Sequence, residues 1–77
     1  MSKDRNESLI LLGKRIREIR ESKDMAQDEA AIEIGFSRSY YGEVERGVRN
    51  ISALNLIKIA KFFNVEIGKL FPPIDFL

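Results

Sequence analysis

At 77 residues, 44% of them hydrophobic, the chain suits one small domain and is too apolar for a disordered segment. It has no cysteine and no histidine, which removes disulfide frameworks, thiolate chemistry, the usual general base and the commonest transition-metal ligand. Its net charge of +1 means that any affinity for nucleic acid rests on where the charges lie rather than on their sum.

Residues 1–7 read as a polar, flexible start, with a first helix beginning near Asn6 to Ser8 and running to about Lys23. Leu9, Leu12, Ile16 and Ile19 recur at intervals of three or four and form one buried stripe. Ile10 and Leu11 fall outside it; they either extend the core or form an exposed patch for a partner. The apolar run Leu9 to Leu12 is far too short to span a bilayer and no signal peptide is visible, so the expectation is a soluble, cytoplasmic protein with no membrane partner.

Ser22 to Ala26 links to a second helix, and Met25 is its core plug. That helix covers Gln27 to Ile34, with Ala30, Ala31 and Ile34 on its apolar side. Ala26 stands where a Ser or Thr would cap it, at a cost of ~1 kcal/mol. Asp28 and Glu29 partly offset this through the helix dipole. Gly35 can take positive φ and turn the chain sharply. Phe36 sits in the turn, and Ser37 caps a third helix, Arg38 to Arg46, with Tyr41 and Val44 facing inward. The short connection forces the two apolar sides together, and small Ala31 lets the backbones approach. This is the pattern of a helix-turn-helix, whose second helix enters the DNA major groove.

Gly47 is a second left-handed stop. Ser52 caps a fourth helix, Ala53 to Phe63, buried through Leu56, Ile59, Ala60 and Phe63, while Leu54, Ile57 and Phe62 add apolar surface beyond that stripe. A short fifth helix, Glu66 to Phe71, ends at Pro72-Pro73. The apolar tail, 72–77, is expected to pack on the body or on a second subunit. No stretch alternates with a period of two, so no strand is predicted. The fold class is all-α: a single compact five-helix domain over residues 1–77.

The segment Gln27 to Gly47, followed by Arg49-Asn50-Ile51-Ser52, resembles the phage-repressor/Cro-type helix-turn-helix family. Within it, Arg38-Ser39-Tyr40 with Glu45-Arg46-Gly47-Val48-Arg49-Asn50-Ile51-Ser52 is similar to the controller proteins of restriction–modification systems. The resemblance covers roughly residues 9–71. It implies a sequence-specific transcription regulator that binds a palindromic double-stranded DNA operator as a homodimer. Such a protein activates by contact with RNA polymerase or represses by occlusion. A second reading is another repressor-type regulator, or an antitoxin or antirepressor module on the same fold; the apolar tail and the weak net charge favour it. An enzyme is a distant third, because no nucleophile–base pair, phosphate loop or metal set appears, and no cofactor is expected. The sequence departs from the family at Ala26, at Ala30, where leucine is common, and at Tyr41, whose phenol needs room and a partner for its hydroxyl.

Several residues are candidates for DNA contact. Arg38, at the first position of the third helix, is placed to take guanine O6 and N7. Ser39 is suited to a base edge or a phosphate, and Tyr40 to a phosphate oxygen, a thymine methyl or packing on the second helix. Ser37 caps, with a hydroxyl in reach of the DNA backbone. Glu43 repels phosphates unless it accepts from cytosine N4 or orients an arginine. Gly42 costs ~1 kcal/mol relative to alanine in a helix and permits close approach of either DNA or a neighbouring helix. The resemblance implies that Gln27 bonds a phosphate and buttresses the third helix, that Arg49 reaches a base or the backbone, and that Asn50 reaches a phosphate. Arg46 joins Arg38 and Arg49 in a local positive strip. The resemblance also implies an ion pair between Arg20 and Glu45, fixing the angle of the third helix more than adding stability. Phe62, Ile67, Leu70 and Phe71 carry more apolar area than a small monomer needs, and are the expected dimer interface. A two-fold dimer places the recognition helices ~34 Å apart, one turn of DNA.

Overall fold

A computed structural model of the chain describes residues 6–73. The expected flexible start, but for its last two residues, and the tail beyond Pro73 lie outside that range. Four α-helices follow in order: α1 (Glu7–Ser22), α2 (Gln27–Ile34), α3 (Arg38–Arg46) and α4 (Ala53–Phe63). No strand occurs among the described residues.

The expected fifth α-helix is instead a single 3-10 turn, Ile67–Leu70. Phe71, held before Pro72, is already extended at φ −95° and ψ 146°, so the chain is too short to close a run of i→i−4 bonds. Gly68 within the turn weakens any longer helix further. Leu70 is fully buried in the core, so it cannot belong to a dimer surface as the sequence suggested.

Helix boundaries follow local chemistry. Asn6, Ser37 and Ser52 each accept a backbone N–H three residues on, from Leu9, Tyr40 and Asn55 at 3.0–3.1 Å. Ala26 offers no such acceptor, but Glu29 Oε1 reaches back to accept from the Ala26 N–H at 3.4 Å. Gly35 (φ 101°) and Gly47 (φ 75°) stop α2 and α3 in the left-handed region. Asn64 ends α4 the same way at φ 56°.

The core joins Leu12 and Ile16 of α1, Ala30 and Ala31 of α2, Tyr41 and Val44 of α3, and Leu56, Ile59, Ala60 and Phe63 of α4, with Ile51 and Leu70. Leu9, Ile19 and Met25 pack half-buried against it. At the crossing of α1 and α3, one backbone contact escaped the sequence reading. Gly13 lies so close to α3 that a Cβ there would stand 2.4 Å from the Val44 carbonyl oxygen and 2.5 Å from that of Glu45. The backbone of α1 therefore rests directly on the last turn of α3, and sets its depth.

Candidate nucleic-acid interface

Three elements hold α3 from behind. From α1, Arg20 donates through Nε to Glu45 Oε2 at 2.8 Å and through Nη2 to Oε1 at 3.1 Å, and Nη1 donates to the Met25 carbonyl at 2.7 Å. This fork-on-fork pair is buried on both sides. From α2, Gln27 Nε2 donates to Glu45 Oε1 at 2.9 Å. From α4, Asn55 Nδ2 donates to the Tyr40 hydroxyl at 2.9 Å. Burial alone would raise the Glu45 carboxyl, but the hydrogen bonds from Arg20 and Gln27 outweigh it and hold the group below its ordinary range. For Arg20, the bond to Glu45 outweighs burial and raises the guanidinium.

Gly42 lies on the side of α3 that Gln27 crosses. A Cβ there would meet Arg46 Nη1 of the same helix at 3.3 Å and Gln27 Oε1 of α2 at 3.4 Å, both at the ends of flexible side chains. Tyr41 is fully buried, but its hydroxyl has no hydrogen-bond partner among the described residues. Burial first, and the neighbouring Glu45 carboxylate second, raise this phenol well above its ordinary 10.0.

The outward edge of α3 carries Ser39, Glu43 and Arg46, spaced four and three residues apart on one stripe. Arg38 opens the helix and is exposed, paired loosely with Asp28 of α2 at 3.8 Å. Asn50 is exposed in the following loop. Ser37 uses its oxygen to cap α3, which leaves its hydroxyl proton for a ligand. Tyr40 is half-buried, edge-on to Phe36 at 5.1 Å, and its phenol proton is likewise uncommitted because the oxygen accepts from Asn55. Glu43 does orient an arginine: Arg49 donates to its Oε1 from Nε at 3.0 Å and from Nη2 at 2.6 Å. The same guanidinium lies 5.4 Å from the Tyr40 ring centroid.

A family model described as helix-turn-helix matches residues 16–70. The chain belongs to the helix-turn-helix family. Control protein C.MunI from Mycoplasma sp is 34% identical over 91% of this chain and 96% of its own length. Control protein C.BamHI from Bacillus amyloliquefaciens is 40% identical over 79% of this chain and 76% of its own. The crystal structure of the restriction–modification controller protein C.AhdI from Aeromonas hydrophila superposes with a TM-score of 0.78 at 43% identity, covering 82% of this chain and 91% of that one. The resemblance to controller proteins read from Arg38–Tyr40 and Glu45–Ser52 is thus matched along nearly the whole domain.

In this helix-turn-helix the turn is Gly35 to Ser37, and α3 is the second helix of the motif. The structure brings Gln27, Tyr40, Glu43, Glu45 and Arg49 into contact with partners, and leaves Arg38, Ser39, Arg46 and Asn50 on the open side. Asn55 was missed: it lies in the first turn of α4, and nothing in its sequence neighbourhood connects it with Tyr40. Lys58, whose Nζ lies 6.0 Å from the Phe36 ring centroid, was missed for the same reason and adds positive charge beside the turn. No group of histidine, cysteine or acidic side chains among the described residues suits a metal ion. No helix among them is long and apolar enough to cross a membrane.

Proposed function

We propose that this chain is a controller-type transcription regulator, which binds a palindromic operator in the cytoplasm as a homodimer. One observation carries the reading: α3 is held from three sides, while its Arg38–Ser39 end and its Arg46 edge stay open. Donors carried on a fixed helix suit base-edge recognition, because the backbone that presents them needs no further ordering when they engage. Arg38 takes guanine, exchanging its loose contact with Asp28 for the groove. Ser37, Ser39, Tyr40 and Asn50 offer hydroxyl and amide donors to phosphates or base edges. Gln27 has a second amide proton for a phosphate at the start of α2.

The second copy docks on apolar surface that the monomer leaves open. Ile67 and Phe71 are 40% and 44% exposed and flank the 3-10 turn; Ile57 and Leu54 are 43% and 73% exposed on α4, which packs against that turn. Phe62 is half-buried, edge-on to Phe63 at 5.0 Å, and lines the margin. A regulator bound beside a promoter activates through RNA polymerase or represses by occlusion.

The test uses duplexes selected from a random pool, with affinity followed through a salt titration. Arg38→Ala is expected to flatten the preference among operator variants. Asn50→Ala is expected to weaken all of them alike. Wild-type affinity in both variants across the titration overturns the site assignment. Wild-type binding that is indifferent to salt points instead to an apolar protein-interaction module, since DNA binding falls steeply through counterion release.

A further inference from the structure

A carboxylate in the middle of a DNA-reading edge is costly, because phosphates flank it on both sides of the groove. Glu43 occupies that position, between Ser39 and Arg46 on the outward stripe of α3, and its side chain is 30% exposed. The structure shows how the charge is tolerated. Arg49 donates twice to the same oxygen, Oε1, and no hydrogen bond reaches Oε2 among the described residues. Arg49 is itself placed over the Tyr40 ring, and Tyr40 is tied to α4 through Asn55. A chain of four side chains thus runs from α4 to the edge of α3 and ends on one carboxylate oxygen with unused lone pairs.

We infer that Glu43 and Arg49 act as one reading unit, in which Arg49 neutralises the carboxylate and Glu43 Oε2 accepts a hydrogen bond from the exocyclic amino group of cytosine in the major groove. The chemistry of the acceptor dictates the ligand. A carboxylate oxygen cannot face guanine O6 or N7, or thymine O4, all of which are acceptors; a cytosine N4 donor matches it. Adenine offers an N6 donor too, but its adjacent N7 acceptor repels a second carboxylate oxygen. Arg49 is a positioning residue here: without it Glu43 carries an uncompensated charge into the groove. The inference rests on the DNA-binding reading above, and adds a base preference that depends on one acidic residue.

The test is fluorescence anisotropy on the selected operator and on duplexes carrying each of the other base pairs at each position. The wild type is expected to prefer cytosine at one position in each half-site by on the order of ten-fold. Glu43→Ala is expected to remove that preference and leave the others in place. Glu43→Gln is expected to move it toward adenine, because an amide pairs with both N6 and N7. Arg49→Ala is expected to weaken binding to every duplex and to shrink the cytosine preference as well. The Glu43–Arg49 contact is at the surface, so unchanged thermal melting checks that the variants fold. If Glu43→Ala keeps the wild-type preference at every position, the inference is overturned, whether overall affinity rises or falls. If the wild type discriminates among no duplexes, the DNA-binding reading itself fails, and the inference with it.

Discussion

Tyr41 shows how much one side chain can cost and still be kept. Its ring fills the centre of the core, stacked at 6.5 Å on Phe36, while its hydroxyl has no partner among the described residues. An unsatisfied buried hydroxyl costs about 1–3 kcal/mol, so Tyr41→Phe is expected to be neutral or stabilising by up to about 1 kcal/mol in urea denaturation. The pH dependence has a definite sign. The folded phenol titrates well above its ordinary 10.0, so the unfolded chain ionises first as pH rises. Stability is therefore complete below pH 10 and falls above it, and Tyr41→Phe should flatten that alkaline decline. A variant that melts in parallel with the wild type from pH 9 to 11 would contradict this account.

At the scale of elements, the placement of α3 depends on two contacts with α1. Gly13→Ala adds one methyl group where two backbone carbonyls leave no room. Its gain in helix propensity is ~1 kcal/mol, and the clash with unyielding backbone should cost about 3 kcal/mol, at the upper end of what overpacking costs, so net destabilisation is expected. The Arg20–Glu45 pair is the second contact. Removing either partner leaves a buried charge and should cost about 3–5 kcal/mol, while Arg20→Met with Glu45→Leu should cost clearly less than the sum. A double-mutant cycle that proves additive would show that the two groups are not coupled. Glu45 titrates below its ordinary 4.5, so its contribution is present above that pH and is lost as pH falls through the folded value. Acid unfolding of the wild type should steepen below about pH 4.5, a trend that Glu45→Gln lacks.

For the whole molecule, the proposed homodimer needs a surface that meets a second copy. A 77-residue chain buries a modest core, and this one leaves Leu54, Ile57, Ile67 and Phe71 substantially exposed. Dimer formation should make the melting temperature rise with protein concentration. Phe71→Ser combined with Ile67→Ser is expected to raise the dissociation constant at least ten-fold in sedimentation experiments without unfolding the monomer, since neither side chain belongs to the buried core. Leu70→Ser would fail as a probe of the dimer, because that side chain is fully buried in the monomer.

Local chemistry alone determined the four α-helices, their caps and most of their buried faces. Serine caps, left-handed glycines and a three-to-four apolar period act within one or two turns of chain, and Leu12, Ile16, Leu56, Ile59 and Phe63 all face inward as their spacing requires. The Arg20–Glu45 pair was legible only through resemblance, since 25 residues separate the partners. What tertiary structure decided is where side chains from different helices meet. Gly13 carries no signal in the sequence, yet the carbonyls of Val44 and Glu45 in α3 lie where its Cβ would stand. Leu70 reads as surface in a short terminal helix but is core once the 3-10 turn folds under α4. The Asn55–Tyr40–Arg49–Glu43 chain spans two helices and a loop, and such contacts leave no periodic trace because their spacing is set by the fold rather than by the pitch of any helix.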